Sequence, residues 1–144
     1  MKNILLLSTL IFMINFTVYS QQRANNPSEF IINDCGTWIE ITGYRGNSRT
    51  VIIPNRINGK AVTSINTDAF KKKQLTSVTI PNSVISIGES AFESNQLTNL
   101  TIPNSVISIG KSAFEWNQLT SVSIPSNVQI IGNAFDRIVK ITRQ

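Results

Sequence analysis

The sequence predicts a mainly β fold: a solenoid of about four coils, one coil per sequence repeat, with a β cap at its N-terminal end. Three observations predict it. Leu75, Leu97 and Leu119 open near-identical strings at a constant period of 22. In each string apolar residues alternate with hydroxyl or amide residues, and the run stops at a proline. The chain has 144 residues, 41% hydrophobic and 15% charged, which suits one small ordered domain.

Residues 1–20 read as a secretory signal peptide. Lys2 supplies a basic start, an apolar run extends from Ile4 to Val18, and Ser20 marks the expected cleavage site. Ser8, Asn15 and Thr17 interrupt the run, which makes it a poor transmembrane helix. No later segment is apolar enough over a sufficient length to span a bilayer. Residues 21–28 are expected to be a flexible leader. Residues 29–50 are expected to form a cap hairpin, because Phe30-Ile-Ile and Trp38-Ile-Glu-Ile flank the turn-forming Asn33-Asp-Cys-Gly-Thr37. Residues 51–144 make the solenoid, in units 51–74, 75–96, 97–118 and 119–144. The first unit carries a five-residue insertion around Asn58-Gly59, a turn signal; the last lacks one residue between Gly132 and Phe135.

Within a coil, period-2 alternation turns Val78 and Ile80 inward and Ser77 and Thr79 outward. Pro81 has no N–H to donate, so the strand ends there. A second extended piece, 84–87, ends at Gly88; Ala91 and Phe92 then close the coil. Asn95 and Asn117 lie in the return to the next strand, where their side chains can serve exposed backbone groups. A lone coil buries too little to offset its ordering entropy, so coils must stack. Residues 138–141 are read as a last strand with no cap beyond it, which predicts self-association through that end or a chain cut from a longer one.

A period of 22 lies in the leucine-rich-repeat range. The string Leu-Thr-x-Val-x-Ile-Pro-x-x-Val-x-x-Ile-Gly-x-x-Ala-Phe resembles the BspA-like leucine-rich repeat family. The stretch Ile41-Thr-Gly-Tyr-x-Gly46, with Pro54, Gly59 and Val62-Thr-Ser-Ile65, is similar to that family's first repeat. The resemblance covers residues 38–135, and Asn95 and Asn117 sit where many members place Cys. It implies a secreted or cell-surface protein, often bacterial, that binds other proteins or host matrix.

The composition narrows the chemistry. With no His and one Cys, the chain lacks the means for His-based acid–base catalysis, Ser-His-Asp or Cys-His triads, an internal disulfide and nearly every zinc site. No enzyme activity, cofactor or metal is expected. Residues one period apart stack in columns, so columns define the surfaces. Ser77, Asn99 and Ser121 form one outward column and Thr79, Thr101 and Ser123 another, together an uncharged concave face suited to a protein or surface glycan, or simply to solubility. Lys72, Ser94, Trp116 and Arg137 form a mostly polar column, in which Trp116 is a candidate exposed anchor or a cover for neighbouring side chains. Lys71, Glu93, Glu115 and Asp136 read as a solvated ridge in preference to a calcium site. Ile85 and Ile107 suggest a small apolar ridge, and Glu89 and Lys111 an opposite-charge pair. Cys35 reads as an inert, half-buried thiol.

Charge is uneven. Residues 21–74 carry a net +4 and residues 75–144 none, with the densest run at Lys71, Lys72 and Lys73. This basic patch suits acidic glycans or an anionic surface. Nucleic acid is not expected as a partner, because no aromatic residues interleave with the basic ones. The sequence therefore points to an interaction or adhesion module; the competing expectation is a self-assembling unit, a homodimer through the C-terminal edge.

Overall fold

A computed structural model describes residues 23–144, so the signal-peptide expectation lies outside the described residues. A short 3-10 turn (Pro27–Glu29) precedes β1 (Phe30–Asp34) and β2 (Trp38–Tyr44), which pair as an antiparallel hairpin. Then come β3 (Thr50–Ile52), β4 (Arg56–Ile57), β5 (Lys60–Ile65), β6 (Ser77–Thr79) and β7 (Ser86–Ile87). They are followed by β8 (Ser108–Ile109), β9 (Ser121–Ile124), β10 (Gln129–Ile130) and β11 (Lys140–Arg143). Among the described residues no α-helix occurs.

The strands stack in two parallel ladders on opposite sides of one core. In the first, β2, β5, β7, β8 and β10 follow one another, with β1 covering the N-terminal edge. These are five turns of about 22 residues, one more than the four repeat units, because β2 of the cap acts as a first rung. In the second, β3 pairs with β6, Thr101 bridges to Ser123, and β9 pairs with β11. The Asn58-Gly59 insertion is a two-residue hairpin between β4 and β5; both residues have the positive φ, 52° and 77°, that such a turn requires.

Repetition produces the core. Ile65, Ile87, Ile109 and Ile130 lie in register on the first ladder. Tyr44, Phe70, Phe92, Phe114 and Phe135 form an aromatic column, and the last three steps are near-parallel, with centroids 4.9, 5.2 and 5.3 Å apart. That spacing matches the distance between stacked strands. Gly88 and Gly110 permit it: a Cβ on Gly110 would stand 2.6 Å from the Glu89 nitrogen of the coil before.

Asn95 ties three coil segments together. Its Nδ2 donates to the Phe70 and Phe92 carbonyls at 2.8 and 2.9 Å. Its Oδ1 accepts from the Leu75 and Lys73 amides at 3.0 and 3.1 Å. Asn117 repeats the pattern one coil later, with the Phe92 and Phe114 carbonyls and the Leu97 amide.

Three expectations change. The leader is not loose from Asn25 onward: Asn25 donates its N–H to the Ile52 carbonyl at 2.9 Å, and its Oδ1 accepts from the Ile52 amide at 2.7 Å. Asn26 then caps the 3-10 turn reciprocally with Glu29. The missing residue of the last unit is absorbed around Ile130 and Ile131, since Ile130 continues the inward ladder while Ile131 is 55% exposed. At the C-terminal end, β11 lies beside β9 with Lys140 opposite Ser121, which closes a coil shorter than the regular repeat. Arg143 donates to the Ser126 and Val128 carbonyls and fastens this shortened coil.

Candidate binding surfaces

The second ladder presents the predicted strand face. Ser77, Thr79, Asn99, Thr101 and Ser121 are exposed, because each alternates with a buried or half-buried neighbour. Ser77, Thr79, Asn99 and Thr101 line a shallow groove of about 450 Å³ floored by half-buried Leu100. Ser123 departs from the group: it is half-buried, and its hydroxyl is buried without a hydrogen-bond partner. The face is also not uncharged throughout, because β11 sets Lys140 beside Ser121 and Thr142 beside Ser123. The repeat could not reveal this neighbour, since β11 lies outside the repeat period.

The turn after each core Phe forms the second surface. Lys72, Ser94 and Trp116 share one column and one conformation, with left-handed φ of 56°, 57° and 58°. Trp116 is 70% exposed, and its N–H donates to Asp136 Oδ1 at 3.1 Å. Non-glycine residues in this region carry a strain of about 1 kcal/mol or more.

The three lysines of the basic patch do not act alike. Lys71 Nζ lies 3.2 Å from Asp68 Oδ1 and 3.1 Å from Glu93 Oε2, which leaves Lys71 neutralised and its pKa raised, chiefly by Glu93. Ser90 and Lys71 in turn hold the Glu93 carboxyl below its ordinary range. Lys72 and Lys73 stay exposed and face a different company. With Arg45, Asn47, Arg49 and Gln74 they line a groove of about 340 Å³. The two arginines are distant in sequence, yet a signal for them existed. The insertion places Thr50 of β3 opposite Ser77 of β6, an offset longer than the repeat, and brings the Arg49 carbonyl onto the Thr76 amide, just beyond the lysine run.

The acidic ridge is divided among local tasks. Glu93 serves Lys71, and the Asp136 carboxylate accepts from the Trp116 and Asn117 amides. Among the described residues no three His, Cys, Asp or Glu side chains are grouped to hold a metal ion. Glu89 and Lys111 share a column without forming an ion pair. Ile85 and Ile107 are 42% and 53% exposed. Cys35 is half-buried, and burial, with Glu40 and Asp34 nearby, pushes its thiol pKa up, away from the reactive thiolate.

Two strand ladders around stacked Phe, Ile and Asn columns define a β-solenoid of the leucine-rich repeat class. The BspA type leucine rich repeat region matches residues 45–143 in six copies, so the chain belongs to that family. A leucine-rich repeat protein from Bacteroides capillosus is similar in structure, with a TM-score of 0.68 and 28% identity over 82% of this chain and 97% of that one. The T. pallidum leucine-rich repeat protein has a TM-score of 0.68 at 24% identity, a likeness of fold. It aligns with 78% of this chain, which spans 65% of its length. A Bacteroides ovatus leucine-rich repeat protein gives a TM-score of 0.56 at 24% identity, over 83% of this chain and 41% of that one. None of the curated proteins is similar enough to this chain to count as a match.

Proposed function

We propose that the chain is an exported, non-enzymatic interaction module that takes a protein partner on its strand face, with Trp116 as an anchor on the adjoining turns. The observation that carries this reading is the groove lined by Ser77, Thr79, Asn99 and Thr101. It offers hydroxyl and amide groups from consecutive coils over an apolar floor. A partner's backbone can hydrogen-bond to such a row while an apolar side chain meets Leu100. Export rests on residues 1–20, whose pattern is that of a signal peptide.

The test is capture from host and bacterial surface extracts by the purified chain, beside a Thr79→Glu, Asn99→Glu, Thr101→Glu variant. All three positions are exposed, so the variant keeps the fold. A partner held by the natural chain and lost by the variant is the expected result; equal capture by both would overturn the strand-face reading. Self-assembly is the second reading, favoured by exposed Ile131, Ile138 and Ile141 near β10 and β11. Sedimentation that rises with concentration and is abolished by Ile138→Lys would establish it.

A further inference from the structure

We propose that the groove between residues 45–49 and 72–74 is a second binding site, separate from the strand face, and that it takes a linear polysaccharide bearing sulfate or carboxylate groups. Arg45, Arg49, Lys72 and Lys73 converge on it, and among the described residues none of the four is ion-paired. The adjacent cation, Lys71, is already neutralised by Asp68 and Glu93, which bounds the site. One carboxylate, Glu29, stands behind Gly46, packed where a Cβ on that residue would fall. Its oxygens are occupied by the Tyr44 hydroxyl at 3.0 Å, Asn25 Nδ2 at 3.1 Å and the Asn26 amide at 3.3 Å. Those donors are neutral, so Glu29 keeps its charge, and Glu93 lies close enough to Lys72 for the lysine to act on it; the four cations still outnumber these two carboxylates.

The groove is built rather than incidental. Arg49 Nη2 donates to Gln74 Oε1 at 3.0 Å, which orients the guanidinium across the two walls. The Arg49 carbonyl accepts from the Thr76 amide at 2.9 Å, joining the same walls through backbone. Gln74 is left-handed, φ 58°, whereas Gln96 and Gln118, its counterparts in later coils, are not. Lys73 explains the difference. It occupies the column of Asn95 and Asn117, whose amides turn inward to bind carbonyls. An ammonium group cannot be buried there unpaired, so Lys73 stays exposed and the chain re-enters the strand by another path. This coil forgoes the internal amide ladder and presents a cation in its place. Departures from a local rule of this kind are expected where a site is served.

The lining selects the ligand. Guanidinium forks match sulfate or carboxylate oxygens, and the Asn47 and Gln74 amides match sugar hydroxyls. No aromatic side chain lines the groove to form a stacking platform for nucleobases, and no aliphatic one to receive an acyl chain. The excess positive charge of residues 21–74 steers a polyanion to this end of the solenoid.

The test is isothermal calorimetry of the full chain with a heparin octasaccharide. An uncharged dextran oligosaccharide, single-stranded DNA of equal charge and phosphatidylserine vesicles are the comparison probes. The expected result is binding to the sulfated sugar that weakens with added salt and exceeds binding to each comparison probe. Arg49→Ala with Lys73→Ala should weaken it by about tenfold, whereas Lys71→Ala and Lys111→Ala should change it less than about twofold. Lys73→Asn, which restores the repeat amide, should lower affinity while leaving the thermal midpoint unchanged or raised. The strand-face triple variant should bind the sugar as the natural chain does, so the two sites succeed or fail separately. Absence of heat with the sulfated sugar, equal affinity in the double variant, or tighter binding to DNA or vesicles would overturn the assignment.

Discussion

Replacing Asn95 with Ala isolates what holds consecutive coils in register. The side chain is 6% exposed, and of its five hydrogen bonds to backbone groups four lie between 2.8 and 3.1 Å. Each of these four contributes about 1 kcal/mol net, and the loss leaves buried carbonyls and the Leu75 N–H without partners. The expected cost is therefore about 4 kcal/mol, a large share of the stability of a domain this size. Asn117 makes three comparable bonds and is only half-buried, so water replaces part of the loss and Asn117→Ala should cost about 2 kcal/mol. Exposed Thr98→Ala should stay within about 0.5 kcal/mol. Urea titrations followed by circular dichroism, with unchanged slopes, give all three numbers. A cost below about 1.5 kcal/mol for Asn95→Ala, or a larger one for Asn117→Ala, would refute the reasoning.

Other perturbations test other parts of the coil. Gly110→Ala forces a Cβ to 2.6 Å from the Glu89 nitrogen while the Gly110 N–H is committed to the Ile87 carbonyl at 2.8 Å. It should cost about 2–3 kcal/mol by denaturant titration, against about 1 kcal/mol for Gly36→Ala, which has open space and only its positive φ to resist. Burial, aided by the hydrogen bond to Glu29, pushes the Tyr44 phenol up to about 12. Its folded pKa exceeds its unfolded one, so the neutral phenol's contribution is full below about pH 10 and is lost as pH rises toward 12. Phenolate absorbance should rise late, and earlier in Glu29→Gln. Trp116→Gly relieves a left-handed φ of 58°, so it should raise stability by about 0.5–1 kcal/mol while abolishing partner capture. A stability loss would show that the indole packs as structure.

The strand face and the aromatic column were legible because both follow the period directly. Ser77 and Thr79 alternate with Val78, and Phe70, Phe92 and Phe114 recur at one place in the string. The basic groove was half legible. Lys71, Lys72 and Lys73 stand out as a run, yet only packing separates the paired Lys71 from its neighbours.

The sequence alone determined the coil. Leucine, proline, glycine and phenylalanine at fixed offsets dictate where each strand begins, ends and packs, because every coil meets the same neighbour at the same distance. Tertiary structure decided what periodicity cannot encode. The insertion at Asn58-Gly59 set Arg45 and Arg49 beside Lys72 and Lys73. The short last coil set Lys140 beside Ser121, and Asn25 bound the edge of β3. Each of these contacts joins segments at a spacing other than the repeat period, so it depends on how the three-dimensional stack closes rather than on the repeat.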